Sequence, residues 1–542
     1  MLALPSPEAA GLLALAALVL LPGLLVVRAP WTAVPALSVA FWVLSWWWLP
    51  VEGRSRLLAT AVAAFALLAT LRLVPRRPVP PPPGYAGPPA APRVSGPITG
   101  RPPRLRSAPS LLVVAVAVVL VAPFGLWFHA PGAEMAFHTT AARLAVWREA
   151  LPAGYAPLRA LSPFAAHPAA LSTLAADVGL LSGLDPGRCV VAATLLSLAL
   201  VLLGVYALGG TRLRAPAAAL GATVGVASVG WPGALAAWGQ GAPVLAFGLG
   251  LTAAALLLGH ASRPSAVAAG FVWGAGALAQ PWLTLALSAA TALATVTMGQ
   301  GREGAGATGV EGSPRRGASG SADGDASGAG EGPAARTIEE GATRAPGPGA
   351  IPDPPSPPPG DAARRVALAW AVAVFFAAPA LVPLARALSP GEALLALGSV
   401  RAAEAIDFAS GLALLVLAAL LASRIATRPL SPAPAAVVAV LAVCAGVLFV
   451  LRVHAWLAGG QIPLAGRQAL ARVARRTSLA DAVCAPPGLV DWVPALAGRA
   501  VGEPPAPSRD PRPWVPPALR EEAAARPPPP CAKALEGSGR PW

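Results

Sequence analysis

The chain has 542 residues, of which 55% are hydrophobic and 12% charged, and its formal net charge is +15. Its apolar residues come in blocks of about 20, the length at which a helix crosses the hydrocarbon of a bilayer, so the composition excludes a soluble domain. The arginines lie mostly in short loops between these blocks, and no basic stripe with interleaved aromatic residues is present, which argues against nucleic acid as a partner.

The apolar blocks predict an all-α polytopic membrane protein of about 12 transmembrane helices, with a range of 11–13. The first block has no basic segment before it and no convincing cleavage site, so we expect a retained span rather than a signal peptide. The predicted spans are 9–27, 32–50, 57–75, 109–128, 189–208, 215–232, 243–260, 266–298, 365–385, 408–424 and 434–452.

Two arrangements of the middle of the chain fit this pattern. The apolar segment 164–182 either crosses the membrane or lies along its surface. The block 266–298 is long for one span, and the sequence AQPW at Ala279–Trp282 is expected to break it in two. The distribution of positive charge favours the second arrangement, in which 164–182 does not cross and 266–298 is two short spans.

The positive-inside rule gives the expected orientation. The linker 76–108 is rich in proline and arginine, so we expect it to be cytoplasmic, and the span 109–128 then runs outward. The loop 129–167 therefore emerges outside. Arg424 and Arg428 precede the last span, which also places the tail outside. The sequence predicts a multi-pass protein of the cytoplasmic membrane with an extracytoplasmic C-terminal tail.

The same features divide the chain into six parts. Gly, Ser, Pro and mixed charge make the second linker too polar to fold alone, and we expect it to be a disordered cytoplasmic segment. The parts are N-terminal hairpins (1–75), a Pro-rich linker (76–108), a membrane core (109–298), the disordered linker (299–364), C-terminal spans (365–452) and a small tail module (453–542).

Ionisable residues are concentrated in the loop 129–167. Glu134 and His138 are four residues apart, so a helix places them on one face, where a carboxylate and an imidazole can share a proton or a metal ion. Residues from Glu134 to Leu151 fit an amphipathic helix in the membrane interface, with Arg143 and Arg148 among its polar positions. Asp177 is a carboxylate inside an apolar helix, which marks it as a candidate functional residue.

The four cysteines divide into two pairs by their surroundings. Cys189 and Cys444 fall in apolar helices, where a cysteine is ordinarily a small core residue. Cys484 and Cys531 both lie in the polar tail, and an extracytoplasmic tail would allow a disulfide between them.

The order of these features resembles membrane glycosyltransferases of the GT-C fold, in particular a bacterial branch with a D-x-x-F-H loop and a later Y-P-x-G-x-H motif. Glu134-Met135-Ala136-Phe137-His138 is similar to the first motif, and the segment 162–167, SPFAAH, is similar to the second. This chain departs from the pattern at the acid, which is Glu134 instead of Asp. It also has Ser162 and Ala165 where the second motif has tyrosine and glycine.

The resemblance implies an enzyme that moves a hexose or pentose from a polyprenyl-phosphate-linked donor to a glycan, lipid or protein acceptor of the cell envelope. It gives catalytic roles to Glu134 and His138, with no certain cofactor, although a divalent cation such as Mg²⁺ or Mn²⁺ is compatible with it. No residue is assigned as a metal ligand. The residues expected to bind the substrate are His167, Arg143, Arg148 and Arg159.

Two other functions fit the sequence. A transporter for a lipid-linked substrate would place its site near the middle of the bilayer, but few charged residues occur there and the two helix sets show no obvious repeat. An inactive scaffold related to the enzymes would account for the altered motifs.

Overall fold

The computed structural model describes residues 6–26, 30–49, 52–73, 108–152, 158, 169–213, 223, 240–259, 262–307, 361–387, 432–479, 481–486, 489–501 and 533–534. This part of the chain is mostly helical. Its α-helices are α1 (Pro7–Leu20), α2 (Val34–Trp48), α3 (Arg54–Leu73), α4 (Ala108–Val121), α5 (Ala133–Arg148), α6 (Ala170–Ser182), α7 (Pro186–Leu213), α8 (Gly241–Gly259), α9 (Arg263–Ala279), α10 (Pro281–Ala307), α11 (Asp361–Ala387), α12 (Pro432–Gly459) and α13 (Leu464–Arg476).

In the described residues, five helical segments are long and apolar enough to cross a membrane, and a bent pair in α12 and α13 raises the number to six. The prediction of an all-α membrane protein is thereby supported, whereas the count of about twelve spans stays a prediction. The predicted spans 215–232 and 408–424 lie outside the described residues, apart from Thr223. The five segments are Pro7–Leu25, Arg54–Leu71, Pro186–Gly210, Gly241–Gly259 and Asp361–Val382.

The central helix α7 packs closely along α8, and the two run parallel. A Cβ placed on Gly248 would lie 2.9 Å from the Cβ of Leu200, so glycine is what allows this approach. Contacts near the start of each helix join Thr194 to Gly241, and contacts further along join Gly204 to Leu251. The two helices therefore begin at the same end of the bundle.

The chain breaks at Gln280, as the AQPW sequence predicted. Gln280 has an extended backbone between α9 and α10. Gly276 of α9 lies against Thr284 of α10, so the second helix turns back along the first. Because α8 runs parallel to α7 and α9 begins shortly after α8 ends, the ends of α7 and α9 that carry Arg212 and Arg263 lie at the same end of the bundle.

The helix α6 neither crosses the bundle nor lies on its surface. Its 13 residues extend for only about 20 Å, less than the hydrocarbon thickness. Every residue from Ala170 to Gly179 is buried among other helices. Whether the whole segment 164–182 crosses the membrane or lies along its surface stays a prediction. The residues of this segment before Ala169 are outside the described part.

Several helix ends meet at one end of the bundle, which we call the α5 end. Glu8 at the start of α1 forms an ion pair of 2.9 Å with Arg188 at the start of α7. Ser55 in the first turn of α3 donates its hydroxyl to the carboxylate of Glu149, which directly follows α5. Gln461, just after α12, accepts a hydrogen bond from the backbone N–H of Phe128. The predicted orientation makes this end extracytoplasmic.

The tail packs on the α5 end. The helix α13 leaves the span-like part of α12 at 61°. Short parallel strands follow in the order β2-β1-β3, namely β1 (Ala482–Cys484), β2 (Ala500–Val501) and β3 (Lys533–Ala534). Arg499 donates hydrogen bonds to the backbone carbonyls of Ala474 and Thr477, which satisfies the open C-terminal end of α13.

Candidate active site

Glu134 and His138 meet on one face of α5, as their spacing predicted. Gly132 starts the helix with a φ of 101°, a backbone conformation that favours glycine. Glu134 then lies in the first turn, where the helix dipole favours a carboxylate. Its Oε1 is 3.7 Å from Nε2 of His138. The side chain of Glu134 is 22% exposed and that of His138 is fully buried.

The other ring nitrogen of His138 contacts α6. Its Nδ1 lies 2.9 Å from the hydroxyl of Ser172, which is also fully buried. The imidazole therefore lies between a buried hydroxyl on one side and a partly exposed carboxylate on the other. Such an arrangement fixes the orientation of the ring without using the carboxylate.

The helix α5 differs from the amphipathic surface helix that was expected. Side chains from Met135 to Ala142 are buried all round the helix, and only Trp147 and Arg148 near its end are exposed. The expectation was wrong because α6, α7 and the tail cover the faces that were assigned to solvent and lipid. The partly exposed side chain of Glu134 therefore lies at the boundary between the buried interior and the protein surface.

Three other acids at the α5 end are paired through closer contacts. Glu149 accepts a hydrogen bond of 2.6 Å from Ser55. Asp185 forms an ion pair of 2.9 Å with Arg143, and Glu8 forms one of the same length with Arg188. Glu134 has only the longer contact with His138 within the described ranges. Of these four carboxylates, Glu134 is the one best placed to react with a ligand.

The arginines predicted to bind substrate have different surroundings. Arg143 donates to the carbonyls of Ala495 and Leu496 in the tail, besides its pair with Asp185. These contacts favour a structural role in which Arg143 joins α5 to the tail. Arg148 is exposed at the end of α5. Arg159 and His167 lie outside the described residues, so their predicted roles stay predictions.

Asp177 has a buried partner that the sequence did not reveal. Nε of Arg54 lies 3.3 Å from Oδ1 of Asp177, and both side chains are almost completely inaccessible to solvent. Arg54 also donates to the hydroxyl of Ser45 at 2.6 Å and lies over the ring of Trp46 at 4.5 Å. This pair joins α2, α3 and α6, so its contacts explain Asp177 as a structural residue.

His129 joins the end of α4 to the tail. Its Nδ1 is 3.0 Å from the carbonyl oxygen of Ala130, and its Nε2 accepts a hydrogen bond of 2.9 Å from the backbone N–H of Ile462. The ring also packs on Trp492, with centroids 4.1 Å apart. These partners suit a neutral ring with its proton on Nδ1. Burial lowers the pKa of His129 from 6.5 to about 4.

This pKa predicts that acid weakens the fold. The unfolded chain takes up a proton on His129 near pH 6.5, whereas the folded chain resists protonation down to about pH 4. The contribution of His129 to the free energy of unfolding is therefore unchanged above pH 6.5. The free energy of unfolding falls by about 3 kcal/mol as the pH drops from 6.5 to 4, and this group causes no further loss below pH 4. Thermal unfolding at a series of pH values from 8 to 4 measures the loss. In His129→Gln, stability should depend less steeply on pH in this window. An unchanged slope in the variant would contradict the assignment.

Cys484 is disulfide-bonded. Its strand β1 pairs with β3 through Cys484 and Ala534, three residues after Cys531 in the sequence. Cys531 itself lies outside the described residues, so the Cys484–Cys531 pairing stays a prediction. Cys189 and Cys444 are free thiols.

The described residues form no group of three or more His, Cys, Asp or Glu side chains that could hold a metal ion. Glu134 and His138 together supply one carboxylate and one imidazole, whereas a Mg²⁺ or Mn²⁺ ion takes more oxygen ligands than one carboxylate offers. The arrangement can therefore act on a proton or orient a polar ligand by itself, without forming a metal centre from the described side chains.

Comparison with known proteins adds no further assignment: no family model, no curated protein and no solved structure matches the chain.

Proposed function

We propose that the chain is an integral membrane glycosyltransferase that moves a sugar from a polyprenyl-phosphate-linked donor to an acceptor of the cell envelope at the extracytoplasmic face. The observation that supports the proposal is the position of Glu134. It is a partly exposed carboxylate at one end of the helix bundle, in the first turn of α5, which with α6 follows α4 and precedes α7. A donor anchored in the bilayer by its polyprenyl chain has to react at such an end.

In the proposed reaction, the carboxylate of Glu134 takes the proton of an acceptor hydroxyl as general base. The acceptor oxygen forms a bond to the anomeric carbon, and the bond between that carbon and the phosphate oxygen breaks. The polyprenyl phosphate leaves with the bonding electrons. A positioned carboxylate contributes a factor of about 10²–10⁴ to the rate of such a proton transfer. Arg148, exposed at the end of the same helix, is a candidate to bind the donor phosphate.

The experiment that tests the proposal compares donors. Membranes that contain the chain are incubated with radiolabelled sugars linked either to a short polyprenyl phosphate or to a nucleoside diphosphate. Label from the lipid-linked donor should enter an envelope acceptor, and label from the nucleotide donor should not. Transfer from the nucleotide donor alone would contradict the proposed donor class, and no transfer from either would favour an inactive scaffold.

A further inference from the structure

We propose that Ser172 of α6 is a positioning residue for the proposed reaction, which it supports by holding His138 with the Nε2–H group turned toward Glu134. The inference rests on the proposed function of Glu134. Two distances carry it: 2.9 Å from the Ser172 hydroxyl to Nδ1 of His138, and 3.7 Å from Nε2 of His138 to Oε1 of Glu134.

The chemistry of a neutral imidazole makes these two contacts dependent on each other. One ring nitrogen carries a proton and the other accepts one, so the group bound to the first nitrogen decides what the second can do. When the Ser172 hydroxyl donates to Nδ1, the ring proton stays on Nε2, which faces Glu134. A ring flipped by 180° would place the carbon Cδ2 against the serine and the carbon Cε1 toward the acid, so both contacts would be lost.

Because the side chains of Ser172 and His138 are both buried, the Ser172 hydroxyl has a strong effect on the orientation of the His138 ring. Ser172 and His138 are fully buried, in an interior where a hydrogen bond has little competition from water. Ser172 belongs to α6, whereas His138 and Glu134 belong to α5, so the contact also fixes one helix against the other. Glu134 stays partly exposed and can change its contact when a substrate binds.

Ser172→Ala tests the inference because it removes one buried oxygen and little else. We expect kcat for sugar transfer to fall by about 10-fold to 100-fold with KM nearly unchanged, as for other residues that orient a reacting group from behind. Ser172→Thr keeps the hydroxyl and should recover most of the rate. Ser197→Ala is the matched control, since Ser197 is equally buried and, among the residues that the structure describes, donates only to the carbonyl of Ala193 in its own helix.

A spectroscopic readout separates this inference from the proposed function. In NMR spectra of the full chain with nitrogen-labelled histidine, the signal that His138→Asn removes identifies the ring. The wild type should show a single tautomer protonated on Nε2, Ser172→Ala should show a mixture, and Ser172→Thr should resemble the wild type. The same tautomer in Ser172→Ala as in the wild type would overturn the inference. This result does not depend on any donor being turned over, so failure of the transfer assay leaves it intact.

Discussion

Asp177→Asn is expected to destabilise the protein by about 3–5 kcal/mol, because it leaves the buried guanidinium of Arg54 without its counter-charge. The guanidinium keeps Ser45 and Trp46 as neighbours, but neither carries a negative charge. Thermal or denaturant unfolding of the purified protein measures the loss, with helix content as the signal. The replacement changes almost no volume, so the loss of charge is the main effect.

A double variant controls for this prediction. Arg54→Met combined with Asp177→Leu removes both charges and replaces them with apolar groups of similar size, and buried pairs replaced in this way often lose little stability. We therefore expect the double variant to be more stable than Asp177→Asn. A single variant as stable as the wild type would show that the pair does not join α3 to α6.

Glu134→Gln is expected to lower the turnover of sugar transfer by about 10²–10⁴-fold, because the amide cannot accept the proton of the acceptor hydroxyl. The side chain keeps its shape, and its 3.7 Å contact is too long for its loss to unfold α5. Glu134→Asp keeps the acid but withdraws its oxygens by about 1 Å, and we expect it to retain part of the activity. Initial rates in the same membranes, corrected for the amount of protein, give the comparison.

Glu8→Gln is the matched control for Glu134→Gln. Glu8 also lies at the α5 end, but it is half-exposed and pairs with Arg188 in a contact of the kind that contributes little to stability. Its rate should stay within about twofold of the wild type. Equal losses in both variants would indicate a general effect of charge at this end, and an unimpaired Glu134→Gln would show that Glu134 is not the base.

The sequence was sufficient to predict the helical elements, because long apolar blocks and helix breakers act locally. The break at Gln280 follows from the proline after it, and the pairing of Glu134 with His138 follows from their spacing on one helix.

Contacts between distant segments could not be predicted in this way. Arg54 and Asp177 are 123 residues apart, and nothing in the spacing of either indicates the other, although a buried charge in an apolar helix always calls for a partner. The burial of α5 depends on α6, α7 and the tail packing around it, so its polar residues were wrongly assigned to a surface face. Ser172 gives no signal in the sequence, since a lone serine in an apolar helix is ordinary.

The proposed glycosyltransferase function is tested most directly by locating where a lipid-linked sugar binds. The full chain in proteoliposomes is exposed to a photoreactive polyprenyl-phosphate sugar, and the labelled peptides are identified by mass spectrometry. We expect label on peptides that contain Phe128 or α5, and loss of that label when unreactive donor is added in excess. Label confined to the opposite end of the bundle, near Arg212 and Arg263, would contradict the proposed function.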